Sequence, residues 1–99
     1  MNDIPNIILS QLGGNRRVSA FLGVDRYIFS DDSLSFRFKA KGKNGINSIL
    51  VRLDPSDTYT VQFSRSTKNG VKVISEQSYV YCDQLIDLVE STTGLYLHF

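Results

Sequence analysis

Leu34-Ser35-Phe36-Arg37-Phe38-Lys39-Ala40-Lys41 alternates apolar and polar side chains without a break. Period-two alternation marks a strand with one face in a core, so Leu34, Phe36, Phe38 and Ala40 are expected inside and Ser35, Arg37, Lys39 and Lys41 outside. Before it, Ser30-Asp31-Asp32-Ser33 is turn chemistry, and Val24 to Phe29 is β-branched and aromatic. After it, Ile46 to Leu53 sets Ile49, Val51 and Leu53 on one side, and Asp54-Pro55-Ser56-Asp57 has the Asp and Pro placement of a type I turn. Tyr59, Val61 and Phe63 then alternate with Thr58, Thr60, Gln62 and Ser64, and Thr67 to Gly70 leads into Val71 to Ser75. About five consecutive strands with short turns between them imply an antiparallel meander.

The period is helical at both flanks. Asp3 is an N-cap, Pro5 suits a first turn, and Ile4, Ile7, Ile8 and Leu12 recur on one side until Gly13-Gly14 stops the run. Asn15 is read as the cap of a second short helix, with Val18, Phe21 and Leu22 on one face and Gly23 as its end. A third helix is expected from about Val80 to Ser91, with Cys82, Leu85, Ile86 and Val89 inward and Asp83, Asp87 and Glu90 outward. Gly94 ends it, and the apolar tail Leu95-Tyr96-Leu97-His98-Phe99 is expected to dock. The fold class is α+β, residues 1–99 in one domain, with the helices covering one face of the sheet.

Composition bounds the function. In 99 residues, 41% hydrophobic content is enough for one core. Eleven Lys plus Arg against ten Asp plus Glu give a net charge of +1, which argues against both a strongly basic nucleosome-like partner and an acidic DNA mimic. Cys82 stands alone, so no disulfide closes within the chain, and no run of His or second Cys supplies a metal set; no cofactor is expected. Met1 to Leu12 lacks the basic start and apolar length of a signal peptide or span, so the expectation is a cytoplasmic protein with no membrane.

Catalysis has little to work with. His98 is the sole histidine and is read as a terminal or subunit-contact residue, and Cys82 as a buried thiol on the apolar side of its helix. Asp31 with Asp32, and Asp54 with Asp57, are read as turn formers rather than paired acids. Two cationic features remain. Gly13-Gly14-Asn15-Arg16-Arg17 is a glycine corner running into a helix start, where backbone N–H groups and two arginines suit an anion, although no strand precedes it and no Gly-Lys-Ser/Thr follows. Arg37, Lys39 and Lys41 form a period-two basic stripe that Lys43, Arg52 and Lys72 would extend, a face able to track phosphates. Tyr27, Tyr79, Tyr81 and Tyr96 are candidates for exposure, although a buried ring with its hydroxyl at the rim is the commoner state of a tyrosine.

Three stretches carry a resemblance: Ile8-Leu-Ser-Gln-Leu-Gly-Gly-Asn15, Asp57-Thr-Tyr-Thr-Val-Gln-Phe63, and Val80-Tyr-Cys-Asp-Gln-Leu85 with Thr93-Gly-Leu95. With them the chain resembles small uncharacterised proteins encoded by bacteriophages and related mobile elements, over Ile8 to Leu95. Arg16-Arg17-Val-Ser-Ala-Phe-Leu-Gly23 departs from that pattern, standing where a more apolar helix ending in Thr-Gly is expected. The resemblance implies origin, in a host cytoplasm, and carries no activity or functional residues. The resulting expectation is a non-enzymatic protein-interaction module that contacts a host or phage protein through Asp83, Asp87 and Glu90. The alternative is a nucleic-acid-binding module that uses Gly13, Gly14, Asn15, Arg16, Arg17, Arg37, Lys39, Lys41 and Arg52. Self-association as a homo-oligomer is a further partner class.

Overall fold

The computed structural model describes residues 4–40 and 42–95. Five strands, β1 (Val24–Phe29), β2 (Ser33–Phe38), β3 (Ser48–Leu53), β4 (Tyr59–Thr67) and β5 (Gly70–Val80), form one open antiparallel sheet in the order β1-β2-β3-β4-β5. The meander forms because its turns close locally. The Ser30 N–H donates to the Ser33 carbonyl at 3.0 Å, and the Asp57 N–H to the Asp54 carbonyl at 3.0 Å. Three helices, α1 (Ile4–Gln11), α2 (Asn15–Leu22) and α3 (Leu85–Thr93), complete the chain, with α1 against β2 and α2 against β1.

The alternation in β2 survives intact: Leu34, Phe36 and Phe38 are buried while Arg37 is exposed. They join Ile49 and Val51 of β3 and Val61 and Phe63 of β4 in one cluster with Ile8, Leu12, Val18, Leu22, Leu85 and Val89 from the helices. Each such side chain contributes roughly 1.5–3 kcal/mol by leaving water. Among the described residues, no helix is long and apolar enough to cross a membrane.

Several boundaries differ from the sequence reading, each for a local reason. Ile7 is exposed and Leu9 buried, because Pro5, Ile8 and Leu9 define the inward stripe of α1, which buried Leu12 continues just past its end. Asn15 is not a cap: Gly14 holds that position with φ 90°, and helical geometry starts at Asn15 itself. Lys39 does not prolong β2. Its N–H turns to the Leu22 and Gly23 carbonyls (3.2 and 3.1 Å), supplying donors to the carboxyl end of α2.

Ile46 is buried but lies outside β3, after a 3₁₀ turn at Lys43–Gly45. β5 runs five residues past Ser75 because two bulges let it follow β4. Val80 is therefore the last residue of a strand rather than the first of a helix, and a 3₁₀ turn, Cys82–Gln84, precedes α3. Cys82 is consequently exposed and not part of the core. The Asp3 cap, Lys41 and the docked tail from Tyr96 to Phe99, His98 included, lie outside the described residues.

Candidate functional site

All three helices pack on one face of the sheet, so the opposite face is built from the alternate residues of each strand. Its rows are read from the register. Arg26 of β1 faces Arg37 of β2, Arg37 faces Ser48 of β3, and Ser48 faces Ser64 of β4; one step along, Ile28, Ser35, Leu50, Gln62 and Glu76 form the next row. Side chains tie parts of this face together. Gln62 Nε2 donates to Glu76 Oε2 at 2.8 Å, and from the connection before β3 Asn47 holds the Ser66 backbone, accepting its N–H at 2.7 Å and donating to its carbonyl at 2.9 Å. Thr60, only 5% exposed, donates its hydroxyl to the Asp54 carboxylate.

The structure separates the basic residues that the sequence grouped. Arg37, next to the end of β2, sits with Arg26 of edge strand β1, and together with Ile28, Ser35, Phe36, Ser48 and Ser66 they line a concavity of about 480 Å³. Lys39 lines a different one, with Arg65, Asn47 and the glycines of the β2–β3 connection. Arg52 is ion-paired with Asp54 at 3.3 Å, at the opposite end of the strands. Arg65 and Lys72 face each other across β4 and β5, so like charges meet in register there too.

The glycine corner does not join them. Gln11 at the end of α1 accepts the Tyr59 hydroxyl (2.8 Å) at the start of β4, so the corner lies on the helix side, at the strand ends away from Lys39 and Lys72. Two of its N–H groups are also spent. The N–H groups of Gly13 and Gly14 are already donated to the Ser10 and Leu9 carbonyls (3.0 and 2.9 Å), closing α1. Positive φ at both glycines, 112° and 90°, is what lets the chain reverse there, and the Arg17 side chain lies over Gly13. Arg16 is exposed.

The acidic stripe is likewise divided. Asp83 belongs to the 3₁₀ turn, while Asp87 and Glu90 are on α3. Lys43 reaches across to them, donating to the Ser91 carbonyl at 3.5 Å and sharing a shallow concavity with Asp87 and Glu90. Beside it runs a second groove of about 500 Å³ between β5 and α3, lined by Gln77, Tyr79, Gln84, Asp87 and Leu88.

Tyr79 is the unusual residue of that groove. Gln77 pairs with Val61 and Val80 with Tyr59, so Ser78 and Tyr79 together oppose Thr60 in a bulge. Tyr79 takes φ 57°, a region an aromatic residue rarely adopts, and is 76% exposed. Tyr81 follows it, also exposed.

Family models, curated proteins and solved structures give no match to this chain. The site therefore rests on its own chemistry. Among the described residues no group of three or more His, Cys, Asp or Glu is placed to hold a metal. Burial raises the phenol pKa of Tyr27 and Tyr59, opposed in part by their hydrogen bonds to Ser19 and Gln11. Both phenols stay protonated well above neutral pH.

Arg26 and the serines around it escape a reading by alternation, because Val24 to Phe29 has no clean period of two. The turn at Ser30–Ser33 carries the signal instead: pairing Phe29 with Leu34 forces Arg26 opposite Arg37. Tyr79 had no such signal beyond being a tyrosine.

Proposed function

We propose that this protein is a non-enzymatic binding module that acts by protein–protein contact through the groove between β5 and α3. The observation that carries the reading is Tyr79, held at positive φ with its ring in solvent. Strain of this kind costs about 1–3 kcal/mol and persists where the surrounding structure over-determines it, commonly at binding sites. Tyrosine is also enriched in interface centres, because it brings large area at little entropic cost. Asp87 in the groove, with Asp83 in the turn that leads into α3, favours a partner segment carrying Lys or Arg. β5 is an edge strand, but its bulges break the open ladder, so side chains rather than strand addition carry the contact. The resemblance to phage-encoded proteins makes a host, defence or phage protein in the host cytoplasm the partner class.

The test is capture from host lysate, with and without nuclease, using the full chain and the variants Tyr79→Ser and Asp87→Lys as bait. A protein retained by the parent chain after nuclease treatment and lost from both variants supports the reading. Retention unchanged in both variants ends it.

Nucleic-acid contact is the second reading, supported by the Arg65–Lys72 pair and Lys39 at one end of the sheet. It calls for affinity that falls steeply with salt and drops when Lys39 and Lys72 become alanine. Salt-insensitive binding rejects it.

A further inference from the structure

We infer that the concavity on the outer face of the sheet is an anion site for the phosphoryl group of a small phosphomonoester, held between Arg26 and Arg37. This inference is independent of both readings above, since it uses neither the β5–α3 groove nor the side chains of Lys39, Arg65 and Lys72.

The hairpin register sets Arg26 and Arg37 directly opposite each other on the exposed face. Residues so placed have Cβ atoms roughly 4.5–5.5 Å apart, and like charges at that spacing destabilise a sheet. Elsewhere on the same face Arg52 is neutralised by Asp54, yet Arg26 and Arg37 have no carboxylate partner among the described residues, and none lines their concavity. Among the described residues the pair thus keeps an electrostatic cost that a bound anion would reverse.

Around the pair stand three serines and two apolar residues, Ile28 and Phe36. Ser48 is the register neighbour of Arg37 on β3, Ser35 is two residues back along β2, and Ser66 enters from β4, held in place by Asn47. Two planar guanidinium forks and three hydroxyls match an oxyanion with several acceptor oxygens, and guanidinium is the group best suited to bind phosphate with two parallel hydrogen bonds. Ile28, half exposed on the same wall, gives an apolar surface for the carbon portion of an ester. The volume, about 480 Å³, is that of a small-molecule site.

The experiment is a titration of the ¹⁵N-labelled full chain with inorganic phosphate, phenyl phosphate and dimethyl phosphate, each against sodium chloride at matched ionic strength. Saturable amide shifts at Arg26, Ser35, Arg37, Ser48 and Ser66 are expected, with phenyl phosphate binding more tightly than inorganic phosphate and dimethyl phosphate least tightly. Arg26→Gln and Arg37→Gln should each weaken phenyl phosphate on the order of tenfold or more, the scale of one lost charge-assisted hydrogen bond. Both variants should melt no lower than the parent chain without ligand, so a folding defect does not mimic the loss. Three results overturn the inference: shifts that never saturate, shifts spread equally over Lys39, Arg65 and Lys72, or affinity unchanged in both variants. A diester that binds as well as phenyl phosphate overturns the monoester assignment.

Discussion

Toward the helices, Phe36, Ile49, Val61 and Phe63 are at most 2% exposed; one residue along each strand, on the other face, stand Arg37, Ser48, Gln62 and Ser64. The two sets share the same backbone hydrogen bonds and differ in what their side chains must satisfy. Inward positions are governed by volume, since interiors are packed as densely as organic crystals. Outward positions are governed by pairs: Gln62 with Glu76, Thr60 with Asp54. Even the outward residues that are nearly covered, Thr60 and Ser64, leave no buried side-chain polar atom unpartnered among the described residues. Evolution is thus free to place charge and strain on one face without opening the core on the other.

The largest contrast comes from neighbours on one strand. Phe63→Ala empties a fully buried site and should cost about 3–5 kcal/mol in urea unfolding, whereas Gln62→Ala, one residue away, should stay within about 0.5 kcal/mol. Equal losses at the two positions would break the division into faces.

Thr60 sharpens it, being outward yet covered. Thr60→Val keeps the shape and removes a hydrogen bond to a carboxylate, for an expected loss of roughly 1.5–3 kcal/mol. The same change in an Asp54→Ala background should cost far less, because the acceptor is already gone. A full loss in that background would mean that Thr60 acts by packing and belongs with the inner face.

Tyr79 runs the other way. Tyr79→Gly removes the penalty of positive φ and should stabilise the chain by about 1 kcal/mol while weakening partner capture. A destabilised Tyr79→Gly would show that the ring is held for the fold instead of for a partner.

Much of the inner face was legible because burial imposes a period: Leu34, Phe36 and Phe38, or Tyr59, Val61 and Phe63, announce strand and orientation together. The outer face was legible only one strand at a time. Grouping Arg37 with Lys39 assumed that the strand continued, but Lys39 peels away to meet the end of α2, a tertiary contact that no local pattern encodes. Cys82 was misplaced for a related reason: Val80 and Leu85 do face the core, yet one closes a strand and the other opens a helix, and the turn between them points outward. The glycine corner was recognised as a corner. That the N–H groups of Gly13 and Gly14 are consumed by the preceding helix depends on the geometry of the reversal and not on residue type.

The smallest expected effect tests the outer face by itself. Arg37→Thr keeps a β-favouring residue in β2 and removes one of two opposed charges, so stability should rise by roughly 0.2–1 kcal/mol at low salt. Arg26→Thr should give a similar gain, and the double variant should gain less than the sum, because the second change has no repulsion left to relieve. High salt should erase the coupling, since both groups are solvent-exposed and a Debye length falls to about 3 Å at 1 M. If the two changes add without coupling, the arginines do not sense each other, and the pair has no cost for a bound anion to offset. If the coupling is present and vanishes on adding phosphate as well as salt, and does so at a far lower ionic strength with phosphate than with chloride, the repulsion and the ligand act on the same two side chains.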